Sequence, residues 1–287
     1  MYYLLILPLS WLPLYWLHAI SDVLYFMLYF VFGYRRKIVR DNIERAFVDE
    51  SMVFHRSVEK RFYRHFCDLI LEGVKNFSIR EEEVRRRFII HNPELVDNFI
   101  LQGKNVIITG GHYNNWELYA LAMPLFHRCD GIALYKPIHN KLLNRKVQKS
   151  RSKFGLKLIP QKEIKAYFDR DPAKRKYGFV FGADQSPRKS SKAFWLKFLE
   201  RDTAVLFGAE KYAVTYDAPV VFGEITKEKR GYYSLKYHLV ADKPLETTYG
   251  DITKGHTSIL EKMIKKRPEF WLWSHKRWKH QKSKFSN

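Results

Sequence analysis

The chain has 287 residues, 46% hydrophobic and 16% aromatic, enough to bury one sizeable core, which excludes a disordered tail and a short disulfide scaffold. Lys and Arg number 51 against 30 Asp and Glu, a net charge of +21, so the chain is built to meet something anionic: nucleic acid, an acidic membrane face or an acidic protein. Two cysteines, Cys67 and Cys129, with no Cys or His neighbours at metal-ligand spacing, exclude a disulfide framework and point to a reducing compartment without structural zinc.

From Met1 to Tyr34 the only formally charged side chain is Asp22, and the run is long enough for the roughly 20 residues that a spanning helix needs. No basic residue precedes it, and it closes with Phe32-Gly33-Tyr34 rather than a small-residue cleavage site, so residues 1–34 read as a retained membrane anchor. Arg35, Arg36, Lys37 and Arg40 follow directly. Cations there place the rest of the chain, 35–287, on the cytoplasmic side against an anionic leaflet. Pro8 and Pro13 interrupt the helix, and Trp11, Tyr15 and Trp16 favour the membrane interface, so a spanning and a half-inserted anchor both stay open.

Apolar residues at helical spacing between Ile38 and Phe77, with Asp49 and Ser51 between the halves, predict two helices. Strand-like runs then follow at 105–109, 131–137, 156–160, 177–183, 219–225 and 232–240, with helix-length stretches at 115–126, 141–154 and 205–216. Alternation of this kind predicts an α/β fold, a mostly parallel central sheet flanked by helices, in a single domain beyond the anchor.

The run Val106-Ile107-Ile108-Thr109-Gly110-Gly111-His112-Tyr113-Asn114-Asn115-Trp116-Glu117 sets a histidine at the exit of a buried strand and a glutamate in the helix after it. Ligands of α/β folds bind at the carboxyl ends of strands, where an imidazole meets a reacting hydroxyl. A Glu one turn on is expected to take the second imidazole N–H and stabilise the cation formed on proton transfer. His256 and Glu261 repeat the spacing without strand or glycine turn and read as a solvated helix face. Arg151 is one cation of a charged helix with Lys146, Lys149 and Lys153, and Asp184 follows the strand-like 177–183 as a binding or site-shaping acid or a turn cap. Glu210 is a weaker candidate of the same sort.

The segment around His112 and Glu117 resembles the H-x4-D/E motif of the lysophospholipid acyltransferase superfamily, and its Gly-His-x-x-Asn-Trp-Glu form is similar to the bacterial lipid A biosynthesis (lauroyl/myristoyl) acyltransferase family. Tyr135-Lys136-Pro137 with Arg151 and Gly155, Ala183-Asp184-Gln185, and the stretch from Pro268 through Lys279 resemble further blocks of that family in order and spacing. Asn114 stands where many members have Gly, Lys136 where they have Arg and Phe270 where they often have Gln. Lysine keeps the charge but loses the bidentate fork.

The resemblance implies transfer of a fatty acyl chain from acyl carrier protein or acyl-CoA, whose phosphopantetheine carries the thioester, to a hydroxyl of a lipid A precursor. No metal or other cofactor is implied, and the place implied is the cytoplasmic face of the bacterial inner membrane. His112 and Glu117 would be catalytic, and Arg151, Lys136, Asp184 and Asn115 substrate-binding. A lysophospholipid, mannolipid or aminolipid acceptor is the nearest alternative. In the tail, Trp271, Trp273, Trp278 and Phe285 interleave with Lys276, Arg277, Lys279, Lys282 and Lys284. Such a mixture suits single-stranded nucleic acid, but the apolar N-terminal run favours rings at headgroup depth with cations on lipid phosphates.

Overall fold

The computed structural model describes residues 2–169, 176–188 and 193–282. The tail residues Lys284 and Phe285 lie outside that range. The N-terminal segment is helical in pieces, α1 (Leu7–Trp11) and α2 (Leu14–Phe26), broken at Leu12 and Pro13. Leu12 is extended at φ −59°, ψ 145°, the conformation that a following proline enforces. After a reversal at Gly33 and Arg35, both with positive φ, come α3 (Arg36–Ala46) and α4 (Met52–Lys75). Ser51 caps α4 by accepting from the Phe54 N–H at 3.2 Å, so the expected helix pair forms where its cap predicts.

Two short helices, α5 (Glu81–Arg87) and α6 (Glu94–Leu101), flank β1 (Phe88–Ile90). The alternation then runs β2 (Val106–Gly110), α7 (Trp116–Phe126), β3 (Asp130–Tyr135), α8 (Lys141–Arg151), β4 (Lys157–Pro160), α9 (Ile164–Phe168) and β5 (Tyr177–Gly182). The antiparallel hairpin β6 (Phe194–Phe198) and β7 (Arg201–Val205) precedes α10 (Gly208–Tyr216), β8 (Val220–Lys229), β9 (Tyr232–Ala241) and α11 (Asp251–Lys266).

Among the described residues the main sheet has seven strands in the order β1-β9-β8-β2-β5-β3-β4, parallel at every pairing except β8 with β9. The predicted α/β architecture is therefore present. Side chains of a strand alternate between faces. Val106 and Ile108 accordingly pack with α6 and α7 residues such as Val96 and Leu118, while Ile107 joins Phe168, Phe179 and Ala213 on the other face. A third cluster gathers Tyr25, Tyr29, Ile43, Phe62, Trp271 and Trp273. Two of the tail rings are thus core residues: Trp273 is fully buried and Trp271 nearly so. The expectation that they reach lipid headgroups fails because each indole N–H is satisfied inside, Trp273 on the Pro268 carbonyl and Trp271 on Asp184.

Candidate active site

The site grows from strand register. β2 and β5 run side by side with Gly110 opposite Gly182, so residues two beyond each glycine, His112 and Asp184, emerge together. His112 Nδ1 lies 2.7 Å from Asp184 Oδ1, and the His112 backbone N–H donates to Oδ2 at 2.9 Å. The carboxylate can only accept, so Nδ1 carries the proton and Nε2 presents its lone pair. The Gln185 amide nitrogen stands 3.1 Å from Nε2 and donates to it. Trp271 Nε1 adds a third donor to Asp184 at 2.8 Å.

These contacts set the charges. The Asp184 side chain is 3% exposed against 25% for His112. Burial opposes ionisation of Asp184, but the His112 ring and the donors around it outweigh that and hold its pKa at about 2. Burial likewise pulls His112 down, but the Asp184 carboxylate overcomes it and leaves the imidazole more basic than an ordinary histidine. Trp116 packs edge-on against the imidazole, ring centroids 5.1 Å apart.

Several expectations need correction. Glu117 does not orient His112. Its carboxylate, at the second position of α7, turns toward α8 and takes a two-point ion pair from Arg151, with Nε at 2.8 Å; Asp184 holds the imidazole proton in its place. Arg151 is correspondingly committed to Glu117 rather than free for a phosphate. The Asn115 amide is occupied at both ends: its oxygen caps α7 through the Leu118 N–H at 2.8 Å, and its nitrogen donates to Glu72 at 2.7 Å. Lys136 is exposed just past β3. Glu210 is buried as a cap for α11, accepting from the Gly250 and Thr253 N–H groups. His256 is buried rather than solvated, and burial depresses its pKa to about 4, because the face of α11 that carries it packs on the sheet.

The C-terminal block closes the site. Tyr113 and Trp271 form an antiparallel bridge, flanked by Asn114 N–H to Phe270 O at 3.0 Å and Leu272 N–H to His112 O at 3.1 Å. His275 accepts from the Ser186 N–H at 3.1 Å. Arg277, 3% exposed, donates to the Ala204 carbonyl and places its charge near Asp184, although burial draws its own pKa down to about 10. Gln185, Trp271 and Arg277 are neighbours of the pair that the sequence did not single out; each lies in a block that carries the family resemblance, but only the tertiary fold brings them to His112 and Asp184.

Beside the imidazole, beyond Trp116, lies a cavity of about 310 Å³ between α4, α7 and α8, lined by Phe66, Leu69, Phe77, Leu121 and Val147, with Glu117 and Arg151 as its polar end. Among the described residues no three His, Cys, Asp or Glu side chains gather as metal ligands.

A histidine held by a buried carboxylate at the carboxyl edge of a mostly parallel sheet, next to a mainly apolar hollow, is an arrangement able to do acid–base chemistry. The model of the bacterial lipid A biosynthesis acyltransferase family matches residues 1–280, and the chain belongs to that family. It is similar to the lipid A biosynthesis palmitoleoyltransferase of Escherichia coli (strain K12), at 22% identity over 248 residues, 85% of this chain and 79% of that protein. The lipid A biosynthesis acyltransferase of Shigella flexneri matches to the same extent. The chain is an acyltransferase of the lipid A type.

Proposed function

We propose that this chain is a membrane-bound O-acyltransferase that moves a fatty acyl group from acyl carrier protein, or acyl-CoA, to a hydroxyl of a lipid A precursor at the cytoplasmic face of a bacterial inner membrane. The observation that carries the reading is the His112–Asp184 pair, 2.7 Å apart at the exit of β2, with the apolar cavity one indole away.

His112 Nε2 takes the proton of the acceptor hydroxyl as its oxygen attacks the thioester carbonyl. Asp184 keeps the proton on Nδ1 and stabilises the imidazolium. The tetrahedral adduct then collapses, the C–S bond breaks, and the departing thiolate receives the proton from Nε2, leaving an ester and a free phosphopantetheine thiol. Gln185 occupies Nε2 in the resting chain, so the acceptor hydroxyl displaces it. The cavity would take the acyl chain, its wall being mainly apolar between Phe66, Leu69, Phe77, Leu121 and Val147 and its volume within the size range of ligand sites. The donor brings its own thiol, so the step draws on no cofactor of the enzyme, and an anionic carrier protein, leaflet and phosphorylated acceptor all suit a chain of charge +21.

Purified protein incubated with acyl-carrier thioesters and a panel of lipid acceptors, with products weighed by mass spectrometry, tests the reading. A mass gain on a lipid A precursor, lost in His112→Ala while vesicle binding persists, is expected. Equal transfer by His112→Ala would overturn the base assignment, and gain only on another lipid would overturn the acceptor.

A further inference from the structure

The outer surface of the N-terminal segment is apolar except at the exposed flank where Asp22 sits: Leu4, Trp11, Trp16, Val23, Phe26 and Phe30 are each more than half exposed. Its inner surface is not. The Ser10 and Leu12 carbonyls accept from Ser78 and Lys75, His18 meets Glu72 at 3.1 Å, and Ser21 donates to Asp68 at 2.8 Å. Asp22 pairs with Arg230 at 2.7 Å, and the same guanidinium grips Asp68 and the His18 carbonyl. These contacts run along α4, so the segment lies against the domain and does not project from it.

A helix crossing a bilayer in this arrangement would carry His18, Asp22, Asp68 and Arg230 to hydrocarbon depth, where ionised groups have no water to face. Cations frame the apolar strip instead. At one end Lys146 of α8 sits over the Tyr2 and Tyr3 rings at 5.0 and 4.8 Å, with Lys141, Arg145 and Lys149 exposed on the same helix. At the other end Lys37 is exposed, with Arg35 and Arg40 beside it exposed in part while bonded to the Ser274 carbonyl and to Glu59.

We infer that residues 2–32 lie in the plane of one leaflet of an anionic bilayer, apolar side among the acyl chains and flanking cations on lipid phosphates, so that the enzyme is seated on the membrane without crossing it. The inference deepens the membrane-bound reading above and rests on it. Phe77 lines the cavity and touches Tyr2, ring centroids 5.4 Å apart. A leaflet-level seat therefore puts the cavity where a lipid substrate lies.

The test uses the full chain on vesicles of phosphatidylethanolamine with one quarter phosphatidylglycerol. Cys67 and Cys129 are buried, with thiols pushed up to about 12, so single labels at Tyr15→Cys, Val23→Cys and Phe30→Cys report cleanly. Spin-label depth from oxygen and nickel relaxation is expected to place all three within one leaflet at similar depth. A crossing helix would separate the first and last by about 20 Å at 1.5 Å per residue, which would overturn the in-plane seat and leave the acyltransferase reading standing. Shallow labels without acyl transfer would sink the enzymatic reading alone. A protein that ignores vesicles and dimerises through this face would overturn the seat. Reversing Lys141, Arg145 and Lys149 to Glu is expected to weaken binding to these vesicles by about tenfold or more, with no change on neutral phosphatidylcholine; an unchanged partition on the anionic vesicles would remove α8 from the surface.

Discussion

Asp184 grips His112 through both the ring and the backbone, so the imidazole has one orientation and one tautomer available to it. Replacing the acid by Asn keeps the shape and removes the charge, and is expected to lower kcat by about 10³- to 10⁴-fold, as loss of the orienting acid does in other histidine sites. The pH profile carries the sign. In the proposed mechanism neutral His112 is the base, and its pKa is raised above the ordinary 6.5, so activity of the native enzyme is expected to climb through a pH above 6.5; in Asp184→Asn that limb moves to lower pH. Rates across pH 5 to 9 for both forms check this, and an unmoved limb would separate Asp184 from the base. Stability follows the same linkage: the raised His112 pKa contributes below 6.5 and fades as pH rises through the folded value, while the lowered Asp184 pKa contributes above 3.8 and fades as pH falls toward 2. His112 was legible from its strand exit and glycine turn. Its partner was not, since Asp184 lies 72 residues away and only parallel register unites them, whereas Glu117 was conspicuous for being near in sequence. Asn114 has φ 55°, which explains why the resemblance sets glycine there: asparagine is among the few residues that enter the left-handed region readily, and its side chain also donates to the Ile225 carbonyl at 2.7 Å.

At the level of elements, the long strands announced themselves by apolar runs of β-forming residues and the helices as helix-length stretches between them, and β1 did not because three residues carry no period. The hairpin β6–β7 escaped for a different reason. Its two-residue turn is Leu199-Glu200, with φ 49° and 59°, a left-handed pair that sequence reading associates with Asn-Gly. The turn between β8 and β9 does carry a glycine: Gly231 has φ +82°, and a Cβ there would lie 2.6 Å from Leu14 and 3.0 Å from His18. That turn presses on α2 directly and also supplies the carbonyl for the buried Arg87 at 2.8 Å. Gly231→Ala is expected to cost about 1–3 kcal/mol from backbone strain alone and to expose the N-terminal segment to protease. Thermal melting with limited proteolysis measures both, and a variant equally stable and equally resistant would show the turn to be slack.

On the scale of the whole molecule, the two ends of the chain interlock around the site. Asn42 donates to the Trp273 and His275 carbonyls and Arg35 to that of Ser274, while the same C-terminal stretch bridges Tyr113 and supplies Trp271 to Asp184. Glu72 is the deepest junction. Fully buried, it joins His18 of the N-terminal segment, Arg87 before the sheet and Asn115 at the start of the helix after His112. A lone buried charge left behind by loss of a partner costs about 3–5 kcal/mol, so these residues stand or fall together.

Shortening the protein at Tyr34 to gain solubility would therefore not yield a free-standing catalyst. Leu17, Tyr25 and Tyr29 would no longer cover their share of the interior, each withdrawing about 1.5–3 kcal/mol of burial, and Asp68 and Glu72 would lose Ser21 and His18. The trimmed protein is expected to melt well below the intact one and to lose acyl transfer even toward short, water-soluble thioesters that need no bilayer. Circular dichroism and a soluble-donor assay on both forms decide it: undiminished melting temperature and turnover would mean that the opening helices are a tether after all, not a buttress for α4 behind the cavity.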